Sequence, residues 1–176
     1  MNKIPGNSTA TNDAPQDQIE EKSAFEVLVC TNTALRLAAR RLGNLYDDAL
    51  APVGLKATQV SLLAETNRMA AANAGKAPTL QDLAAKLAIQ ISALTHALKP
   101  LIRDGLVELQ ADEHDRRTKR AVLTLAGTKL LQEAIVHWGT ANQRVEKVLG
   151  AEAAASLRAV ADYVASDEFL AAYSGN

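Results

Sequence analysis

Apolar residues recur at helical spacing along most of this chain, and the spacing fails once, between residues 101 and 127. The first periodic stretch begins near Ser23, where Glu26 stands at capping-box distance, and reaches about Leu50. Within it Leu28, Leu35, Ala38, Leu42, Leu45 and Tyr46 form one stripe, while Arg36, Arg40 and Arg41 gather on adjoining surface. Pro52 and Gly54 then punctuate the chain, and Thr58 is placed to cap a helix that turns Val60, Leu62 and Leu63 toward a core. The run MAAANAGKAP, residues 69–78, is a loop by composition. Thr79 followed by Asp82 opens a short helix carrying Leu80, Leu83, Ala84 and Leu87; a turn at Ala88 and Ile89 leads into a second helix that extends through Asp104. In that second helix Leu94, Leu98, Leu101 and Ile102 share the inner face, and Pro100 predicts a bend near residues 96–100.

The break in period follows at once. Gly105 can end the helix in the left-handed conformation; Leu106, Val107 and Leu109 begin a strand, and Val122, Leu123 and Leu125 form its return partner. Between them ADEHDRRTKR makes a hairpin tip that holds Arg116, Arg117, Lys119 and Arg120 on a loop too short to bury them, a shape suited to a polyanion's groove. Two short helices followed by a basic hairpin give the winged-helix arrangement. A long helix from about Leu125 to Leu149, stopped by Gly150, carries Leu130, Leu131, Ile135, Trp138, Val145 and Val148, and a last helix covers about residues 152–164. The expected fold is therefore mainly α with a small β-hairpin wing. A winged helix-turn-helix DNA-binding lobe at about 55–124 is joined to a helical dimerisation lobe at about 23–50 and 125–170, the whole forming one domain over 23–176. The long terminal helices present more apolar surface than the small lobe can cover, which predicts a homodimer.

Composition sharpens this picture in four places. The chain has 48% hydrophobic but only 3% aromatic residues, with few β-branched clusters, which favours helices packed on aliphatic side chains. A net charge of −1 excludes a generally basic nucleic-acid coat, so any contact with DNA has to come from local clustering such as the hairpin tip. Cys30 is the single cysteine, so no intramolecular disulfide is possible, which fits a reducing cytoplasm. No apolar run reaches membrane-spanning length, the start MNKIPGNSTATND is unlike a signal peptide, and residues 1–22 with Pro5, Gly6 and Pro15 are expected to be a disordered arm; the expected location is cytoplasmic.

The residues that read DNA follow from the exposed side of the second short helix. Gln90, Ser92, Thr95, His96, Lys99 and Arg103 offer amide, hydroxyl, imidazole and cationic groups for base edges or phosphates. Thr79 at the helix start and Asp115, Arg116, Arg117 and Lys119 on the hairpin complete the candidate DNA-binding set. From about residue 25 to 165 the chain resembles the multiple antibiotic resistance regulator (MarR) family of bacterial transcription factors. The resemblance rests on LYDDALAPVGLKATQVSLL, LTHALKPLIRDGLV, DEHDRRTKRAVLTLAG and the region of Trp138. It implies that residues 90–104 enter a major groove and that Asp115 and Arg117 form the D-x-R pattern that orients an arginine into the minor groove. It also implies a repressor of a double-stranded DNA operator, released by a small effector such as an aromatic acid or phenol bound between the lobes. His96 followed by Ala97 departs from relatives that carry more basic or amide residues there, which bears on the operator sequence and not on the binding mode.

By position, Arg36, Arg40, Tyr46, Gln59 and Trp138 are the candidate effector pocket, with an arginine to neutralise a carboxylate; solvated surface or interchain ion pairs are the other reading of Arg36 and Arg40. Cys30 joins that set as a candidate oxidant sensor, since some relatives sense peroxides through a first-helix cysteine. The alternative is a small buried hydrophobe, and Arg36, six residues on, gives it no thiolate partner. His96, His114 and His137 are too scattered for a metal site, and no cofactor motif is present. Enzymatic function lacks its usual signals: there is no phosphate loop or nucleophile elbow, and adjacent carboxylates such as Asp47 and Asp48 diverge on a helix. A winged-helix module that binds a protein instead of DNA remains the competing class.

Overall fold

The computed structural model describes residues 30–175, so the arm at 1–22 and the proposed cap at Ser23 and Glu26 lie outside the described residues. Helix α1 spans Thr31–Leu50 and is followed by a 3-10 turn, Ala51–Val53. The chain divides into two compact units between Arg41 and Leu42. Everything that follows α1 belongs to the second unit.

Helix α2, Ala57–Ala72, begins two residues earlier than the Thr58 cap predicts. Lys56 occupies the cap position, its N–H donates to Gln59 Oε1 at 2.8 Å, and the Ala57 N–H donates to Asp47 Oδ1 at 2.7 Å. A carboxylate from the end of α1 thus satisfies an N–H that the first turn of α2 leaves unpaired, a function Thr58 inside that turn cannot perform. Helix α3, Leu80–Lys86, starts at a reciprocal capping box: Thr79 Oγ1 accepts the Asp82 N–H at 3.0 Å, and Asp82 Oδ2 accepts the Thr79 N–H at 3.3 Å. Ala88 turns the chain with φ +51°, and helix α4, Ile91–Arg103, runs unbroken through Pro100. Gly105 follows at φ +69°, the left-handed stop expected of it.

Strands β1, Val107–Ala111, and β2, Lys119–Leu123, pair antiparallel from Val107 opposite Leu123 to Ala111 opposite Lys119. Leu125 is not part of the return strand: Thr124 caps the next helix by accepting the Gly127 N–H at 3.0 Å, so Leu125 is already helical. The outer edge of β2 is covered by the segment that leads into α3, because the Ala121 N–H donates to the Pro78 carbonyl at 3.1 Å and Thr79 bridges Arg120. Helices α5, Leu125–Leu149, and α6, Ala151–Val164, match the sequence reading within a residue. A further helix, α7, Asp167–Ser174, was not anticipated; Ser166 caps it, accepting the Phe169 N–H at 3.2 Å.

Leu63, Leu83, Leu94, Leu98, Leu101 and Val107 are fully buried in one core, which Leu50, Leu131 and Ala134 extend toward the long helices. That core fixes α3, α4 and the hairpin base as one body. The outer faces of α5 to α7 are different: Val148 is 85% and Tyr173 84% exposed, so the described residues do not cover them. No described helix is long and apolar enough to cross a membrane.

Candidate nucleic-acid interface

Burial of Leu94, Leu98 and Leu101 fixes the rotation of α4 and leaves Gln90, Ser92, Thr95, His96, Lys99 and Arg103 on its exposed side. They are not equally free. The Thr95 hydroxyl donates to the Ile91 carbonyl at 2.8 Å, which leaves its lone pairs as acceptors. Arg103 is held by Asp104 through Nε at 2.8 Å and Nη2 at 3.2 Å, and this pairing raises the arginine and lowers the aspartic acid from their ordinary values. Lys99 has no ion pair among the described residues. Thr79 is half-buried and spends its hydroxyl oxygen on the cap of α3.

The wing is shaped by two aspartates. Asp112 is buried; its Oδ1 accepts the N–H of His114 at 2.9 Å and of Asp115 at 3.2 Å, and its Oδ2 accepts from Arg120 Nε at 2.5 Å. These donors, the His114 amide first and the Arg120 guanidinium second, hold the Asp112 carboxyl down at about 2. Asp115 folds the tip: Oδ1 accepts the Arg117 N–H at 3.0 Å and Oδ2 accepts the Thr118 hydroxyl at 3.0 Å. Asp115 therefore positions Arg117 through its backbone and makes no side-chain ion pair with it. Arg116, Arg117 and Lys119 remain exposed with no ion pair among the described residues. Arg120 corrects the sequence reading: it lies in β2, its side chain is only 18% exposed, and its Nε and Nη1 donate to Asp112 and the Ala77 carbonyl.

Two of the cavities in the second unit are lined by described residues throughout. One of about 400 Å³ lies between α2 and α5 and is lined by Val60, Ser61, Ala64, Glu65, Arg68, Ile135 and Trp138. On its rim Arg68 Nε donates to Glu65 at 3.0 Å, which helps hold the Glu65 carboxyl below its usual value. The other, of about 560 Å³, lies between the ends of α1 and α5, where Leu42, Leu45, Val145, Val148 and Leu149 supply apolar walls.

Comparison with known proteins bears on this geometry. The model of the MarR family matches residues 55–119. MosR, a transcriptional regulator of M. tuberculosis solved in complex with DNA, is 34% identical, aligns over 74% of this chain and 98% of its own, and superimposes with a TM-score of 0.61. The chain belongs to the MarR family. A MarR variant from E. coli solved with operator DNA shares the fold at 23% identity and a TM-score of 0.69, over 80% of this chain and 96% of its own. CouR of Rhodococcus jostii RHA1, solved with p-coumaroyl-CoA, does so at 19% identity and a TM-score of 0.65, over 79% and 94%. Comparison with curated protein sequences gives no match. The protein is thus a MarR-family DNA-binding transcriptional regulator, mainly helical with a two-stranded wing.

Of the candidate effector residues, Tyr46, Gln59 and Trp138 belong to the second unit. Trp138 lines the cavity between α2 and α5. Tyr46 lies beside it, with ring centroids 4.5 Å apart, and donates its hydroxyl to Asn142 Oδ1 at 3.0 Å; burial and the nearby Glu146 carboxylate raise the phenol. Gln59 is the capping partner of Lys56. Arg36 and Arg40 are exposed on the part of α1 that belongs to the first unit. Cys30 precedes α1 and is exposed in the single chain. Its sulfur contacts the Thr33 hydroxyl at 3.1 Å and accepts the Thr33 N–H at 3.4 Å, and these bonds lower the thiol, so a local partner exists where none was expected. Sequence reasoning missed Glu65 and Arg68, whose i, i+3 spacing on α2 was the available signal. Among the described residues no group of three or more His, Cys, Asp or Glu is placed to hold a metal ion.

Proposed function

We propose that the protein is a homodimeric repressor that binds a pseudo-palindromic duplex and is released from it by a small aromatic effector. The observation that carries this reading is the joining, on one packed body, of a helix with an outward polar face and a hairpin tip whose cations are not neutralised among the described residues. Lys99 on α4 and Arg116, Arg117 and Lys119 on the wing are free to exchange counterions for phosphates. In this reading α4 lies in a major groove, with Gln90, Ser92, Thr95 and His96 toward base edges, and the wing reaches the flanking minor groove through Arg117. The long terminal helices pair with a second copy, which sets two α4 helices about 34–36 Å apart, one turn of duplex. MosR and MarR solved with DNA support this role; CouR solved with p-coumaroyl-CoA supports a small-molecule effector.

The effector site we favour is the cavity at Trp138. It offers an aromatic wall and, in Arg68, a guanidinium that a carboxylate can win from Glu65. An effector acts only by its preference for the non-binding spacing of the two α4 helices. A random-sequence selection with the full chain tests the proposal: it should enrich two inverted half-sites one helical turn apart, and recovery of no common sequence would favour the protein-binding alternative.

A second reading is supported by Cys30. An exposed thiol lowered by Thr33 presents more thiolate to an oxidant, and attack on a peroxide would give the sulfenic acid and hydroxide. If Cys30→Ser still releases DNA under peroxide, Cys30 is not the sensor.

A further inference from the structure

Arg120 belongs to the basic run of the wing by sequence, yet it turns inward. Its Nε donates to Asp112 and its Nη1 to the Ala77 carbonyl, 43 residues away, each at 2.5 Å. Ala77 leads directly into Thr79, the cap of α3, and the adjoining Pro78 carbonyl accepts the Ala121 N–H at 3.1 Å. Asp112, at the other end of the pair, gathers the backbone of His114 and Asp115 where the tip begins. One guanidinium therefore ties the start of the tip, strand β2 and the entry to the first helix of the helix-turn-helix. It makes the only side-chain hydrogen bond between the hairpin and residues 77–79 among the described residues.

We infer that Arg120 and Asp112 are positioning residues for DNA binding: they stay off the duplex and fix the reach of the wing relative to α4, so that Arg117 arrives at the minor groove when α4 enters the major groove. This rests on the DNA-binding mode proposed above. A two-stranded hairpin is marginal by itself and needs an anchor to hold one orientation. The guanidinium fork supplies that anchor because its donors point in fixed, different directions, to a carboxylate and a carbonyl at once; a lysine ammonium is a single point that cannot span both. A pre-set wing also removes the ordering cost that a loose one would incur on binding.

The test compares Arg120→Lys, Arg120→Met and Asp112→Asn with Arg117→Ala in the full chain. Trypsin cleavage after Arg116 in DNA-free protein reports the wing's local opening. Hydroxyl-radical and guanine-methylation footprints on the selected duplex report minor- and major-groove contact separately. We expect Arg120→Met and Arg120→Lys to be cleaved about tenfold faster or more, and to lose the flanking minor-groove protection while keeping the major-groove protection. Arg117→Ala should lose the same protection with cleavage unchanged. A direct phosphate contact by Arg120 would instead let Arg120→Lys retain both protections and ordinary cleavage, and a general structural role would make both protections vanish together; either result overturns the inference. Failure of the unaltered chain to protect any duplex would count against the DNA-binding reading, while unchanged cleavage in every Arg120 and Asp112 variant would refute the anchor itself.

Discussion

A β-carbon on residue 127 would lie 2.9 Å from the carbonyl carbon of Leu106 and closer still to its oxygen: Gly127, in the first turn of α5, packs directly on the backbone that leaves α4. Thr124 completes the junction, its hydroxyl donating to the Gly105 carbonyl at 2.7 Å and its N–H to the Leu106 carbonyl at 3.1 Å. The seam joins the long helix to the DNA-binding lobe, and there is no flexible side chain to yield. Gly127→Ala should cost about 1–3 kcal/mol, as overpacking does, in urea denaturation. Thr124→Ala should cost about 1 kcal/mol through the lost cap. An unchanged midpoint for Gly127→Ala would show that the two backbones do not touch.

The cations of the interface differ in how far they are already neutralised. Arg117 makes no ion pair among the described residues, so Arg117→Ala should weaken binding and flatten the dependence of log K on log salt by about 0.9 for each phosphate left without its cation. Arg103 is paired with Asp104, so Arg103→Ala should change the slope less. Thr95→Ala and His96→Ala should alter base preference at fixed positions and leave the slope alone. Equal slope changes for Arg103→Ala and Arg117→Ala would mean that the Asp104 pair opens on DNA.

Acid should loosen the wing. The Asp112 carboxyl, ordinarily near 3.8, is held at about 2 by its amide and guanidinium donors. Because the folded state binds this proton less tightly than the unfolded state, the group's contribution to stability is complete above 3.8 and is lost as pH falls toward about 2. Hydrogen exchange across that interval should show the amides of His114 and Asp115 losing protection. In Asp112→Asn they should be less protected at neutral pH, with a shallower change on acidification. A pH-independent wing in the unaltered chain contradicts this account of Asp112.

Trp138 is the only tryptophan of the chain and lines the cavity that Arg68 rims. Aromatic acids that bind there should change its fluorescence, and Arg68→Ala should weaken the response to acids more than to neutral phenols. Identical titrations of the two proteins would place the effector elsewhere.

How much of this was legible in the sequence varies with the range of the interactions involved. The bounds of α5 are set locally, by Thr124 at one end and Gly150 at the other, and the hairpin by the switch from a period of 3.6 to 2, so both could be read in advance. Ser166 with Asp167 and Glu168 was an equally local signal for α7 and went unread. The cap of α2 was misplaced because its acceptor, Asp47, comes from another helix. Arg120 was counted with the tip because nothing near it in sequence reveals Ala77 as a partner. Cys30 lies in an apolar run, yet no part of that pattern shows that it stands just before the first turn of α1. The cavity at Trp138 depends on how α2 meets α5, a relationship that no spacing within either helix encodes.

The most direct measurement is a fluorescence-anisotropy titration of the full chain against the selected duplex and a scrambled duplex of equal length, each at two salt concentrations. The account predicts tighter binding to the selected duplex, two chains bound per duplex, and a steep loss of affinity as salt rises. Equal affinity for both duplexes, or affinity indifferent to salt, would contradict a regulator that reads DNA through α4 and grips it through the wing.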